Sequence, residues 1–223
     1  MISLNGVTKT YPVGKGATVT AVRSIDLQVE RGEYLVITGR SGAGKTTLLN
    51  LVAGLTRPTS GQVLWDGTDL WDLADPQRSL LRNRRVGFIF QFPSLLPSLS
   101  VLENVVLPTA FGPAHGKPGA RERADELLHL VGLVDKRAAY PRQLSAGQQQ
   151  RAVIARSLVN RPQVLLADEP TSDLDEQTEM EIMDLFARIH ATMDLTTLMV
   201  THAPRLVTRS ARSIEMADGV IVA

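Results

Sequence analysis

Leu35-Val36-Ile37-Thr38-Gly39-Arg40-Ser41-Gly42-Ala43-Gly44-Lys45-Thr46-Thr47 decides how this chain is read. Four β-prone residues run into a glycine-rich turn. The spacing then predicts a helix from Thr46 to about Ala53, stopped by Gly54. Gly39 to Thr46 fills every position of the pattern in which backbone N–H groups turn inward around phosphates. The glycines permit that turn, and the helix behind it presents its positive end to an anion. Lys45 suits the outer phosphates, and the Thr46 hydroxyl suits Mg²⁺. A chance glycine-rich turn is the bland reading, and a full match is expected by chance in about one chain in a hundred of this length. Placement between a strand and a helix lowers that further.

Working outward, Val164-Leu165-Leu166-Ala167 is a second apolar run and ends on Asp168-Glu169. Thr196-Thr197-Leu198-Met199-Val200 is a third and ends on Thr201-His202. Between them Met180, Met183 and Ala187, with Ile182, Phe186 and Ile189 beside them, recur at helical spacing. Strands alternating with helices predict an α/β fold with a largely parallel sheet. Ligands of such sheets bind at the carboxyl ends of the strands, where the Gly39 turn, Asp168 and His202 all fall. The stretch from about Phe92 to Asn160 reads as helix and loop inserted into that core, with Pro and Gly clustered at Gly112–Gly119. The β-prone N-terminal part, with Gly61–Gly67, predicts a small antiparallel layer.

Composition narrows the class. The 223 residues suit one large domain or one with an insertion. A net charge of +1 argues against a dedicated nucleic-acid binder. There is no cysteine, so no disulfide forms. Met1-Ile2-Ser3-Leu4-Asn5 lacks the start of a signal peptide, and no run approaches the roughly 20 apolar residues of a membrane span. If the protein works at a membrane, another chain is expected to supply the spans.

Asp168 and Glu169 at a buried strand's end suit a metal-holding carboxylate beside one that orients an attacking water; alone they would read as a solvated acidic turn. Leu144-Ser145-Ala146-Gly147-Gln148-Gln149-Gln150 opens a helix, with Ser145 and Gln148 spaced as a capping box. The residues leave two readings open there, a plain helix start or a second anion site. Gln91 follows the apolar strand Val86–Phe90 and, like His202, could be an ordinary loop residue. His115, His129 and His190 read as exposed or packing residues.

Taken in order, the Gly39 loop, Gln91, Leu144–Gln148, Asp168-Glu169, Ser172–Asp175 and His202 resemble the motif series of ABC transporter ATPases over essentially the whole chain. The resemblance implies a P-loop NTPase (RecA-like) core of about 1–91 and 160–223, carrying a helical signature subdomain of about 92–159. It implies ATP and Mg²⁺ as ligands. Gly39, Arg40, Ser41, Gly42, Ala43, Gly44, Lys45, Thr46 and Thr47 would hold the phosphates, and Tyr11 would stack on adenine. Thr46, Gln91 and Asp168 would meet the metal. Glu169 would be the catalytic base, His202 would hold the γ-phosphate, and Lys45 and Gln91 would complete the catalytic set. Ser145, Gly147 and Gln148 would face ATP on a second copy, so that two copies close head-to-tail around two ATP molecules. The partners implied are that second copy and membrane permease subunits on the cytoplasmic face of the cell membrane, with no nucleic acid.

Three residues depart from the pattern: Ala146 for a glycine, Asp173 for an alanine, and Ala203 for an aspartate. Within the family, Val86–Phe92 with Leu95-Leu96-Pro97 and Glu103-Asn104-Val105 is similar to the lipoprotein-releasing and macrolide-exporter ATPase group. Other classes fit less well. A translation-factor ATPase would carry two cassettes, and a chromosome-maintenance ATPase would place coiled coils between Lys45 and Ser145. A small-molecule kinase would need neither the signature nor His202. A non-hydrolysing scaffold cassette, as in cell division, would not need Glu169.

Overall fold

The computed structural model describes residues 1–14, 16–111, 119–202 and 211–222. The chain divides into two compact units, Met1–Arg82 with Thr196–Ala223, and Asn83–Leu195.

In the first unit, β1 (Ile2–Val13) and β2 (Ala17–Val29) form a long antiparallel hairpin, with Leu4 opposite Leu27 and Tyr11 opposite Val19. β4 (Ser60–Trp65) pairs with the other edge of β1, and β5 (Thr68–Asp69) with β4. This is the antiparallel layer expected from the sequence. Alternation buries Ile25, Leu27 and Val29 on one face, and Ile2 and Leu4 opposite them. The alternation breaks near Gly6 and Ser24, both at positive φ, where the pairing register shifts.

The second sheet of this unit contains β3 (Tyr34–Thr38), parallel to β8 (Thr196–Val200) on one side and to β9 (Arg212–Ala217) on the other. β10 (Val220–Ile221) runs antiparallel to β9. β3 and β8 are apolar or buried at nearly every position, as strands covered on both faces must be. α1 (Lys45–Val52) follows β3 directly and buries Leu48, Leu49, Leu51 and Val52. At roughly 1.5–3 kcal/mol for each large apolar side chain removed from water, this short helix is held by its packing. The Trp65 indole donates to the Val52 carbonyl at 3.0 Å, fastening the antiparallel layer to α1. α2 (Asp75–Arg85) is mostly polar and buries none of its residues.

In the second unit, β6 (Val86–Ile89) runs parallel to β7 (Val164–Asp168), with Ile89 beside Ala167. The interval between them holds α3 (Val101–Val106), α4 (Ala120–Leu130), α5 (Ala146–Leu158) and short 3-10 turns. This is the helix-and-loop character read from the sequence. The Gly112–Gly119 cluster, with His115, lies outside the described residues except for Gly119. α6 (Glu176–Thr192) buries Ile182, Met183, Leu185, Phe186 and Ile189. Met180, counted above with the apolar stripe, is 59% exposed instead. The buried face is set by the pairs 182/183, 185/186 and 189, and Met180 falls outside that arc.

Candidate nucleotide site

The Gly39–Thr47 loop springs from the end of β3. Gly39 and Gly44 have φ of 141° and 99°, values that L side chains rarely adopt. A Cβ on Gly39 would run into the Met216 carbonyl, and one on Gly44 into the Ala21 carbonyl. The backbone therefore closes tightly at both ends of the turn, between β9 and β2. Lys45 is 5% exposed, and its ammonium donates to the carbonyls of Gly39 at 2.7 Å and Arg40 at 3.1 Å. That fixes a cation at the mouth of the turn. α1 begins at Gly44 with no side-chain cap and no acidic residue in its first turn, so its N–H dipoles meet no competing carboxylate from its own sequence. Thr46 is exposed and Thr47 half-buried, while Arg40, Ser41 and Gly42 lie at the surface. Arg40, Ser41, Gly42, Ala43, Glu215 and Asp218 are among the residues lining a concavity of about 450 Å³.

Two further predicted residues belong to this unit. His202 is exposed just beyond β8, and the Thr201 N–H donates to the Ile37 carbonyl at 3.1 Å, so the end of β8 is pinned beside the strand that launches the loop. Tyr11 is half-buried near the end of β1, with the Lys9 ammonium 4.9 Å from its ring centroid. Val13 and Val19 beside it are 50% and 54% exposed, leaving an apolar end to the hairpin. Ala203 lies outside the described residues.

The second unit holds the rest. Asp168 closes β7 and is 5% exposed. Glu169 follows at φ 45°, a left-handed conformation uncommon for any residue but glycine or asparagine. The Ser172 N–H donates to the Glu169 carbonyl at 3.3 Å. The Thr171 hydroxyl donates to buried Glu179 at 3.1 Å. Asp175 then caps α6, accepting the Thr178 N–H at 3.0 Å and its hydroxyl at 2.7 Å. These bonds, the Thr178 hydroxyl first, hold the Asp175 carboxyl below the usual carboxylate range. Asp173 is exposed on the same loop. Gln91 is exposed just beyond β6, the strand paired with β7.

Ser145 caps α5 as the spacing predicted. Its hydroxyl accepts the Gln148 N–H at 3.3 Å, and the Gln148 side-chain carbonyl accepts the Ser145 N–H at 3.1 Å. Neither bond uses the Ser145 hydroxyl proton, and Ser145 is exposed. Gly147 is buried against Thr178 of α6, and Ala146 is exposed. The signature helix and the loop after Glu169 thus meet through Thr178.

The sequence reading missed Arg156 and Ser94. The Arg156 guanidinium donates to the Ser94 carbonyl at 2.6 Å and to its hydroxyl at 2.7 Å. Both residues line a groove of about 340 Å³ with Phe88, Phe90, Pro108 and Phe111. An arginine following the apolar run Val153-Ile154-Ala155 was the available signal. Among the described residues, no helix is long and apolar enough to cross a membrane, and no cluster of three or more His, Cys, Asp or Glu could hold a metal.

Residues 22–172 match the family described as ABC transporter. The chain is 42% identical to the lipoprotein-releasing system ATP-binding protein LolD of Syntrophus aciditrophicus, over 100% of this chain and 99% of that one. It is 43% identical to the macrolide export ATP-binding/permease protein MacB of Syntrophobacter fumaroxidans, over 99% of this chain but only 31% of that longer protein. Among solved structures, the dimeric post-hydrolysis state of the ATP-binding cassette MJ0796, bound to ADP and Pi, superposes with a TM-score of 0.90. The identity is 38%, over 99% of this chain and 96% of that one. The chain therefore belongs to the ABC transporter family.

Proposed function

We propose that the chain binds Mg-ATP on Gly39–Thr47 and hydrolyses it as one half of a head-to-tail dimer that drives a membrane permease. The observation that carries this reading is the turn itself: buried Lys45 held at its mouth, ahead of a helix whose N-terminus has no cap of its own. Lys45 would meet the outer phosphates, and Tyr11 would stack on the base. Thr46, Gln91 and Asp168 are hard oxygen donors of the kind Mg²⁺ takes, and bound Mg²⁺ would neutralise charge on the phosphates. Glu169 would accept the proton of the attacking water, and His202 would hold the γ-phosphate. Ser145 would offer its unused hydroxyl proton, and Gly147 and Gln148 would complete the surface turned toward ATP on the second copy.

The division into a core of about 1–91 and 160–223 and a signature subdomain of about 92–159 remains part of this proposal. So does attachment at the cytoplasmic face of the cell membrane through the permease. The groove beside Phe90 supports a docked permease, because Phe90 and Phe111, which line it, are 45% and 71% exposed, and exposed aromatics in a patch mark interaction surfaces. Likeness to LolD and MacB supports a permease of the lipoprotein-release or efflux kind. Phosphate release from ATP by the purified chain tests the reading. Turnover should require Mg²⁺ and stop with a chelator, and a chain that bound no ATP would refute it.

A further inference from the structure

Two opposite charges that the reaction does not use stand on the loops carrying Lys45 and Glu169. Arg40 enters the phosphate turn through its backbone, its carbonyl accepting the Lys45 ammonium at 3.1 Å and the Ala43 N–H at 3.1 Å. Its side chain is exposed, and among the described residues the guanidinium makes no ion pair or hydrogen bond. Glu215 and Asp218 line the same concavity without pairing to it. Asp173 is the one carboxylate between Glu169 and Asp175, where the family pattern has an alanine. It is exposed, and among the described residues its carboxylate accepts no hydrogen bond. The backbone around it is nevertheless fixed. The Ser172 N–H donates to the Glu169 carbonyl at 3.3 Å, and the Leu174 N–H to the Thr171 carbonyl at 3.2 Å. A side chain on so braced a loop loses less freedom when it meets a partner.

We propose that Arg40 of one copy pairs with Asp173 of the other when the dimer closes on ATP, so that the chain selects its own copy by charge. The proposal rests on the head-to-tail dimer and adds a recognition pair to it. In that dimer Ser145 and Gly147 turn toward ATP on the second copy, whose phosphate turn carries Arg40. Gly147 lies against Thr178, and Thr178 is bonded to Asp175, so the loop bearing Asp173 faces the same turn. Two equivalent pairs form, one beside each ATP. A guanidinium and a carboxylate match as a fork of two hydrogen bonds. A cassette with the family's alanine at this position would leave Arg40 unpaired at the interface, and one with a basic residue there would be repelled.

The test uses the full chain with Glu169→Gln, so that ATP is held unhydrolysed, and reads the dimer dissociation constant by sedimentation with ATP present. Arg40→Glu and Asp173→Arg, each added alone to this parent, should weaken the dimer by about tenfold or more, because each sets like charges together twice. Added salt should narrow the gap between the parent and each variant. Mixing the two variants in equal amounts should restore a dimer near the parent's strength, since the mixed dimer holds one native and one reversed pair. Mixing does not alter either copy's own affinity for ATP, so the recovery reads the charge pair. If Arg40→Glu fails to fold or to bind ATP, Asp173→Arg against Asp173→Asn decides, with the arginine variant expected to be the weaker. Variants that dimerise like the parent, or a mixture no stronger than its components, would overturn the pair and leave the dimer standing. A parent that binds ATP yet stays monomeric would overturn both.

Discussion

The γ-methyl of Thr178 lies against Gly147, so close that a Cβ on the glycine would sit 2.5 Å from it. The same threonine gives its N–H and hydroxyl to Asp175. One side chain therefore joins the start of the signature helix to the loop that follows Glu169. Gly147→Ala should destabilise the fold by about 1–3 kcal/mol, the usual range for overpacking. Adding Thr178→Ser, which deletes the methyl and keeps the hydroxyl, should restore most of that loss. Urea denaturation of the two variants measures it, and strictly additive losses would show that the contact is not the cause.

Asp175 links the same loop to pH. Its carboxyl is held low in the folded chain by Thr178, so the unfolded chain takes up the proton first as pH falls. The stabilisation is present above the unfolded value near 3.8 and is lost as pH drops through the folded value. Asp175→Asn keeps a capping oxygen but cannot ionise. The gap in melting temperature between wild type and this variant should narrow from about pH 6 to about pH 3. A gap that widened would contradict the assignment.

Lys45→Ala should nearly abolish turnover while leaving the far-ultraviolet circular dichroism unchanged. The variant loses the ammonium held at the mouth of the turn by the carbonyls of Gly39 and Arg40. Near-normal turnover in a folded variant would remove the phosphate-loop reading.

Tyr11→Ala should weaken ATP binding and leave the hydrolysis of bound ATP largely intact. Stacking of an aromatic on a base is worth about 1–3 kcal/mol in nucleic-acid sites. Calorimetric titration with ATP should therefore show a dissociation constant raised by about tenfold or more. An unchanged constant would place adenine elsewhere.

The parts of this fold legible in the sequence were those with strict local rules. β3, β7 and β8 are short β-prone runs with almost every residue buried, and they end within a residue of where the runs end. Ser145 and Gln148 announced their capping box by spacing alone. Features fixed by distant neighbours were not legible. Met180 fits helical spacing but points away from the packed face of α6. The start of α5 read as a plain helix start or an anion site, and only the packing of α5 on α6 shows that Thr178 requires the small size of Gly147. Ser94 and Arg156 are 62 positions apart, and no periodicity relates them.

In the proposed dimer, two copies enclose ATP between Lys45 of one and Ser145 of the other, with Glu169 starting hydrolysis. Glu169→Gln preserves shape but cannot take the water's proton, and general bases typically contribute about 10²–10⁴-fold. Binding should survive, since Lys45, Thr46 and Asp168 are untouched. A ligand at 100 times its dissociation constant favours the bound state by about 2.7 kcal/mol, and two would act in each dimer. Size-exclusion chromatography with light scattering on this variant should find a dimer with ATP, and a monomer with ADP or without nucleotide. A variant that binds ATP tightly yet stays monomeric at every concentration would contradict the two-site dimer and leave only the phosphate loop.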